Sequence, residues 1–393
     1  MRLVNYMKKI LCIVVITLTF IIGSHIANAQ LINGGGTVSD VNKVHSFTDQ
    51  IANLTMNSKG GSLATVGGSA PNPLLVDLVT QRKAMMLKLA KTNPNAFLAS
   101  VMPEVTRKIL PQSLQSNIEK QTTLTGTLEV WHSDDFKNPK NSRFYYFLNV
   151  NSSRGRTLQS TTKNSQRIEL YPTESFSAVS GIKMSVKGYL IENVMVSRVG
   201  KANLQSEGAL SSLGSVGDQK TLVLLLQYTD SGAPPFTKEE ARDLVFSSHF
   251  QDYYKEQSYG KVSFSGDVYG WFTLNRKGID ICYGGGGRLS IIEDDDISKI
   301  LSDNAIDLSK YSRIVYLHNH QDIGGGCSQV GKGERTINGK KYLFSEAVIG
   351  SLGAFNSNEG HPFAWTYFDS VLSHEIGHSL GVWHANGWDC GEE

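Results

Sequence analysis

Read from the N-terminus, the first concentration of apolar residues is the run 10–22, behind a basic stretch carrying Arg2, Lys8 and Lys9. Ala27-Asn28-Ala29 follows as a small-x-small cleavage site before Gln30, so residues 1–29 read as a secretory signal peptide. The apolar run is shorter than the roughly 20 residues a membrane span needs, which argues against a transmembrane anchor. Residues 30–72 are rich in Gly, Ser, Asn and Thr with little sustained periodicity, and are expected to be a loose segment. From Pro73 the spacing becomes helical through Leu75, Leu78, Val79, Met86 and Leu89. A second helical stretch covers 96–110, broken at Pro103 and ended by Pro111, so 73–121 is expected to be a helical segment.

Residues 122–198 change to short alternating runs at 124–131, 144–150, 167–171, 182–186 and 190–196. Polar turn-formers such as Asn138-Pro139-Lys140 separate them, which predicts a small all-β barrel or sandwich acting as a pro- or accessory domain. Residues 199–220 are Ser- and Gly-rich and read as a linker, a place where activation cleavage would find exposed chain. An α/β pattern then begins. The unbroken run Leu222-Val223-Leu224-Leu225-Leu226 and the run 314–317 predict strands buried on both faces. Thr237 and Glu240 fit a capping box that opens a helix. A bent strand is expected over 262–274, and another strand over 341–349. Phe368, Val371, Leu372 and Ile376 give 363–380 the apolar spacing of a helix.

Cleavage after Ala29 would leave about 364 of the 393 residues, enough for two or three domains. Because Arg2, Lys8 and Lys9 leave with the signal, 38 basic residues fall to 35, against 36 acidic ones. A near-neutral chain without a Lys/Arg block has no electrostatic footprint for nucleic acid or anionic membrane. Cys12 also leaves, and Cys282, Cys327 and Cys390 remain. In an oxidising compartment that implies one disulfide and one leftover cysteine, or partners outside this sequence.

The chemistry is concentrated on the last of these helices. The run His374-Glu375-Ile376-Gly377-His378-Ser379-Leu380-Gly381-Val382-Trp383-His384 reads H-E-x-x-H-x-x-G-x-x-H. His374 and His378, four apart, project from one helix face one turn apart. Gly381 lets the backbone leave the helix through a left-handed turn, and the returning chain delivers His384. These three histidines are the candidate ligands of a Zn2+ ion. Three protein ligands leave a fourth position for water, the mark of a catalytic zinc site. Zinc would acidify its bound water, and Glu375 would act as the general base that activates it and then protonates the leaving amine.

The eleven-residue motif resembles that of the metzincin clan of zinc peptidases. Its continuation, His384-Ala385-Asn386-Gly387-Trp388-Asp389-Cys390-Gly391, is similar to the H-x-N-x-x-D-C-G of gametolysin-type secreted peptidases. Tyr253 to Val262, YYKEQSYGKV, looks like a segment shared by gametolysin-type and immune-inhibitor-A-type peptidases. The resemblance covers roughly 219–393. It implies a metzincin-like α/β catalytic domain at 221–393, with a twisted, mostly parallel sheet and the zinc helix beneath it. By the same analogy the strand at 341–349 would be the cleft edge, where an extended substrate adds as another strand. The chain ends nine residues after His384, before the methionine turn that follows in metzincins, so the domain is expected to be C-terminally truncated, and its activity in this form uncertain.

Other features are read structurally. Glu293-Asp294-Asp295-Asp296 lacks EF-hand spacing and is expected to start a helix. The glycine runs 284–287 and 324–326 lack the lysine and hydroxyl of a phosphate-binding loop. His318 and His320 are expected to be ordinary strand-end histidines. No cysteine lies between Gln30 and Ile281, so no upstream thiol could cap the zinc, and inhibition by that region would be steric or use another ligand. The leading reading is a secreted zinc metalloendopeptidase acting on protein or peptide substrates, extracellular matrix or cell-wall protein among them. The alternative is a catalytically defective metzincin-like surface or matrix-binding protein.

Overall fold

Asparagines set both ends of the long helix Pro73–Thr92 in the upstream region. Asn72 accepts a hydrogen bond from the Leu74 amide ahead of Pro73, a residue suited to a first helical position because its missing N–H would be unpaired there anyway. Asn93 closes this helix and caps the next through the Ala96 amide. The computed structural model describes residues 37–56, 65–66, 70–135, 142–151, 165–174, 176–198, 215–246, 248–278, 282, 292–319, 326–350 and 363–384. The signal peptide, most of the 199–220 linker, Gly284–Gly287, His320, the 385–391 continuation and Cys390 lie outside these residues. Two compact units are present. The first comprises residues up to 122 with 171–173 and 187–198; the second comprises 123–170, 174–186 and 199–393. The stretch 122–198, read in the sequence as one β module, is thus divided between the units.

In the first unit, α1 (Thr37–Met56), α2 (Pro73–Thr92), α3 (Pro94–Ala99), α4 (Glu104–Ile109) and α5 (Gln112–Gln115) are joined by the antiparallel pairing of Tyr189–Ile191 with Val194–Val196. A two-stranded ribbon, β1 (Thr65–Val66) with β2 (Ala70–Pro71), lies in the segment before α2. Helix α1 overturns the expectation that 30–72 is loose throughout. Its polar composition hides an inward stripe, spaced by three and four residues, of buried Val44, Ile51 and Thr55 with half-buried Thr48 between them. Thr48 and Thr55 donate their hydroxyls to carbonyls four residues back, and so do not compete with the helix. Val44 packs with Met86, Leu89, Phe97, Ile191 and Val196.

The centre of this unit is a charge pair. Arg82, fully buried, places two nitrogens 2.7 and 2.8 Å from the Glu119 carboxylate. Its other bonds reach Thr48 Oγ1 and the Ser100 carbonyl, and Glu119 also accepts the Met102 amide. So fully hydrogen-bonded a pair is tolerable, whereas removing one partner strands the other charge away from water. Arg82→Ala is therefore expected to destabilise the first unit by about 3–5 kcal/mol. Amide hydrogen exchange of the intact chain should accelerate in α2 and in 194–197. Unchanged protection there would remove the pair from any central role.

The second unit is built on a mixed sheet. Four strands run parallel in the order β13 (Lys340–Ile349), β10 (Arg313–Asn319), β8 (Gly217–Tyr228) and β9 (Val262–Leu274). β11 (Gly326–Gln329) and β12 (Gly333–Ile337) pair antiparallel with β13. β3 (Lys120–Asp134), of which all but the first three residues belong to this unit, pairs antiparallel with β11. β4 (Arg143–Asn151) pairs with β3, and β5 (Ser165–Pro172) with β4. Two further strands, β6 (Lys183–Ile191) and β7 (Val194–Ser197), complete the set, and only the first part of β6 lies in this unit.

The apolar run of β8 divides between two cores. Leu222, Leu224 and Leu226 face α8 (Asp294–Asp303) through Ile297, Ile300 and Leu301. Val223 and Leu225 share the other core with α6 (Lys238–Phe246), α7 (Ser248–Gln257) and α9 (Phe363–Ser379). Helix α6 opens with a reciprocal capping box: Thr237 Oγ1 accepts the Glu240 amide, and the Glu240 carboxylate accepts the Thr237 amide. The acidic run begins α8, where Arg276 pairs with Glu293 and Asp296 while Arg335 pairs with Asp294. His318 is buried, with Tyr228 Oη 2.8 Å from its Nδ1.

One expectation is corrected here. The strand at 341–349 is not a cleft edge, because β10 flanks it on one side and β11 with β12 on the other. A buried interior strand has no free backbone groups to offer an added peptide. The strand beyond it is β11, and β3 of the chain itself lies along β11.

Candidate metal centre and active site

Helix α9 carries Val371, Leu372 and Ile376 into the helix-side core, each contributing roughly 1.5–3 kcal/mol by burial. That packing turns the faces bearing His374, Glu375 and His378 towards β11 and β3. Hydrogen bonds to its backbone fix the helix further. Tyr254 donates its hydroxyl to the Ser373 carbonyl, and Ser328 of β11 donates to the Glu375 carbonyl at 2.7 Å. Gly331 N–H reaches the His378 carbonyl at 3.0 Å, and buried Arg313 holds Ser379 through Oγ at 2.6 Å. Tyr254 belongs to the YYKEQSYGKV segment, which in this way pins the residue before the first histidine.

The helix ends as its glycine requires. Gly381 adopts φ +94°, its amide bonds the His378 carbonyl, and the Val382 amide bonds the Gly377 carbonyl. This paired closure reverses the chain in a conformation that residues with a Cβ resist. The reversal brings His384 beside the helix. His378 Nε2 lies 3.1 Å from His374 Nε2 and 3.2 Å from His384 Nε2, and the remaining pair is 3.0 Å apart. His378 Nδ1 lies 2.8 Å from the Val382 carbonyl and donates its hydrogen there, which leaves Nε2 as a bare lone pair.

These nitrogens fit a metal ion better than they fit one another. Tetrahedral metal–nitrogen bonds of about 2.0–2.1 Å imply nitrogen separations of about 3.3–3.4 Å. The observed triangle is close to that size, and neutral imidazoles cannot satisfy three mutual contacts with one hydrogen each. Burial pushes the His384 imidazole down to about 4, in keeping with a neutral ligand.

Glu375 stands beside the triangle, fully buried, and neither of its carboxylate oxygens has a hydrogen-bond partner among the described residues. Burial, and then the nearby charge of Asp134, raise its carboxyl well above the ordinary range. An unpartnered buried carboxylate is costly, and such groups concentrate where chemistry needs a poised base. Gly326 makes room for it: a Cβ at that position would lie 2.5 Å from Glu375 Oε1.

The histidines and Glu375 singled out in the sequence thus converge. Two residues that were not singled out join them. Asp134, 4 % exposed, sets Oδ2 at 3.2 Å from His374 Nε2 and 3.4 Å from His378 Nε2, with Oδ1 at 3.2 Å from His384 Nε2. His132 Nδ1 lies 2.6 Å from Asp134 Oδ2. Burial alone would push the Asp134 carboxyl up, but the neighbouring rings of His132, His374 and His378 hold it well below the usual carboxylate range. His132 and Asp134 alternate on one face of β3, the face that looks at α9. The only signal in the sequence is an H-x-D at the end of an alternating run, about 240 residues before the motif it meets.

Cys282 and Cys327 are disulfide-bonded, which joins residue 282 to the strand carrying Gly326. The chain matches no known protein-family model, and no curated protein matches it.

Gly326→Ala is expected to overpack this contact and lower the stability of the second unit by about 1–3 kcal/mol. Guanidinium unfolding followed by tryptophan fluorescence, with Trp131 and Trp271 as reporters, would measure it. An unaltered midpoint would mean that Glu375 has other room to occupy.

Proposed function

We propose that the protein is a secreted zinc endopeptidase of metzincin type, similar to the gametolysin-type enzymes. The observation that carries the reading is the convergence of three imidazole Nε2 atoms, 3.0–3.2 Å apart, beside a buried carboxylate with no partner of its own among the described residues. His374, His378 and His384 would hold the ion. A bound zinc supplies Lewis acidity, acidifying a coordinated water and polarising a scissile carbonyl. Glu375 receives the proton of the attacking water on a carboxylate oxygen and returns it to the departing nitrogen. Its burial favours that cycle, because the proton-accepting form is poorly solvated and binds hydrogen strongly. The Tyr254, Ser328 and Arg313 contacts hold base and ligands in one rigid frame.

The test reads metal and chemistry separately. The intact chain should carry one zinc, removable by chelator, and His378→Ala should lose affinity by more than the roughly 100-fold that a partner outside the ligand set would cost. Glu375→Gln should keep the zinc while hydrolysis falls about 100- to 10,000-fold. Hydrolysis is followed with a quenched fluorogenic peptide before and after a brief, then inhibited, trypsin treatment, because Asp134 lies against the histidines in the intact chain. Zinc retained in the wild type without cleavage in either sample would favour a surface- or matrix-binding protein. Absence of zinc would defeat the proposal itself.

A further inference from the structure

We propose that Asp134 is a fourth ligand of this metal centre, and that β3 is an internal inhibitory strand holding the protein as a latent precursor. The inference rests on the zinc reading above and adds its regulation.

Two independent features of β3 point the same way. The first is coordination. The Asp134 carboxylate caps the histidine triangle, with Oδ2 at 3.2 and 3.4 Å from the nitrogens of His374 and His378 and Oδ1 at 3.2 Å from that of His384, so it stands as a fourth ligand group beside the three imidazoles. A carboxylate oxygen is an ordinary zinc ligand, and it takes the position that a catalytic site otherwise leaves open. His132 supports it from behind with its 2.6 Å contact to Oδ2, as partners of metal-bound carboxylates do. The His132 ring is in turn set by Phe144 of β4 at 4.1 Å, and Phe144 stacks on Trp383 at 4.2 Å.

The second feature is backbone pairing. β3 lies antiparallel along β11 in the register Asp134 to Gly326, Ser133 to Cys327, His132 to Ser328 and Trp131 to Gln329. An extended peptide adding to that strand would need the same backbone groups. Asp134 sits opposite Gly326, the residue against Glu375, so the strand delivers its carboxylate at the point where a substrate carbonyl would have to lie. One segment therefore fills the metal's free position and the neighbouring strand position together.

Cobalt(II) substitution of the intact chain tests this without any turnover. The visible absorption of the wild-type cobalt protein should not change with azide or acetohydroxamate. Asp134→Ala should show an altered spectrum and bind acetohydroxamate at least about 100-fold more tightly, beyond the change that losing a partner outside the ligand set would cause. Asp134→Asn keeps the side-chain volume and should behave like Asp134→Ala, which separates loss of a ligand from misfolding. Wild type and both variants responding alike would overturn the proposal while leaving the zinc reading intact. A wild-type chain that takes up no cobalt or zinc would overturn both.

Discussion

Everything at the site depends on keeping three imidazole nitrogens within 3.2 Å of one another, an arrangement that side chains would leave if their backbones could drift. Two of the rings stand on α9 and the third stands beyond its end. The frame is consequently the helix plus its closing turn. Gly381 fixes the turn, and the Val382 carbonyl both belongs to that turn and orients the His378 ring. The polar bonds from Tyr254, Ser328, Gly331 and Arg313 are buried or half-buried and fall within the helix's last two turns. Hydrogen bonds of this kind contribute about 1 kcal/mol each in net stability, but leaving one unmade costs more, so together they specify one position for the helix.

The same frame explains why so much of the centre was legible in the sequence. Positions four apart on a helix and a glycine-mediated reversal are local geometry, so His374, Glu375, His378, Gly381 and His384 announce themselves by spacing alone. The run Leu222–Leu226 was legible for a similar reason: a strand covered on both faces has no polar alternation to disguise it. The capping box of Thr237 and Glu240 is equally local.

What was not legible involves partners distant in the chain. Helix α1 was hidden because Thr48 and Thr55 look like loop residues until their hydroxyls are seen returning to their own helix. β13 reads as a plausible edge because nothing in its own composition records that β11 and β12 cover its far side. Asp134 is the extreme case. Its side chain is an ordinary acid at a strand end, and its role arises only from the register of β3 on β11. A one-residue slip would turn both His132 and Asp134 to the opposite face of the sheet.

That register also separates two ways in which β3 would hold the protein latent. The Asp134 carboxylate is one side chain, and truncating it frees one coordination position. The strand itself is held more widely. The Val130 amide donates to Ser180 Oγ at 2.9 Å, and the Val130 carbonyl accepts the Val330 amide at 2.8 Å. The Ser180 amide donates to the Val330 carbonyl at 2.8 Å, and β4 pairs along β3 from Thr127 to Ser133. Trp131 is fully buried in the same core as Leu222 and Ile314. None of these contacts involves Asp134. Losing the carboxylate would thus admit a small ligand to the metal while leaving the β11 strand position occupied. Admission of a peptide requires the end of β3 to come away from β11, with Trp131 losing its place in the core, a cost far beyond what one side-chain rearrangement supplies. Covalent release of the upstream chain meets that requirement in a way that thermal fluctuation of an intact strand does not, which is why the inhibitory ligand and the strand that carries it work as a single irreversible lock.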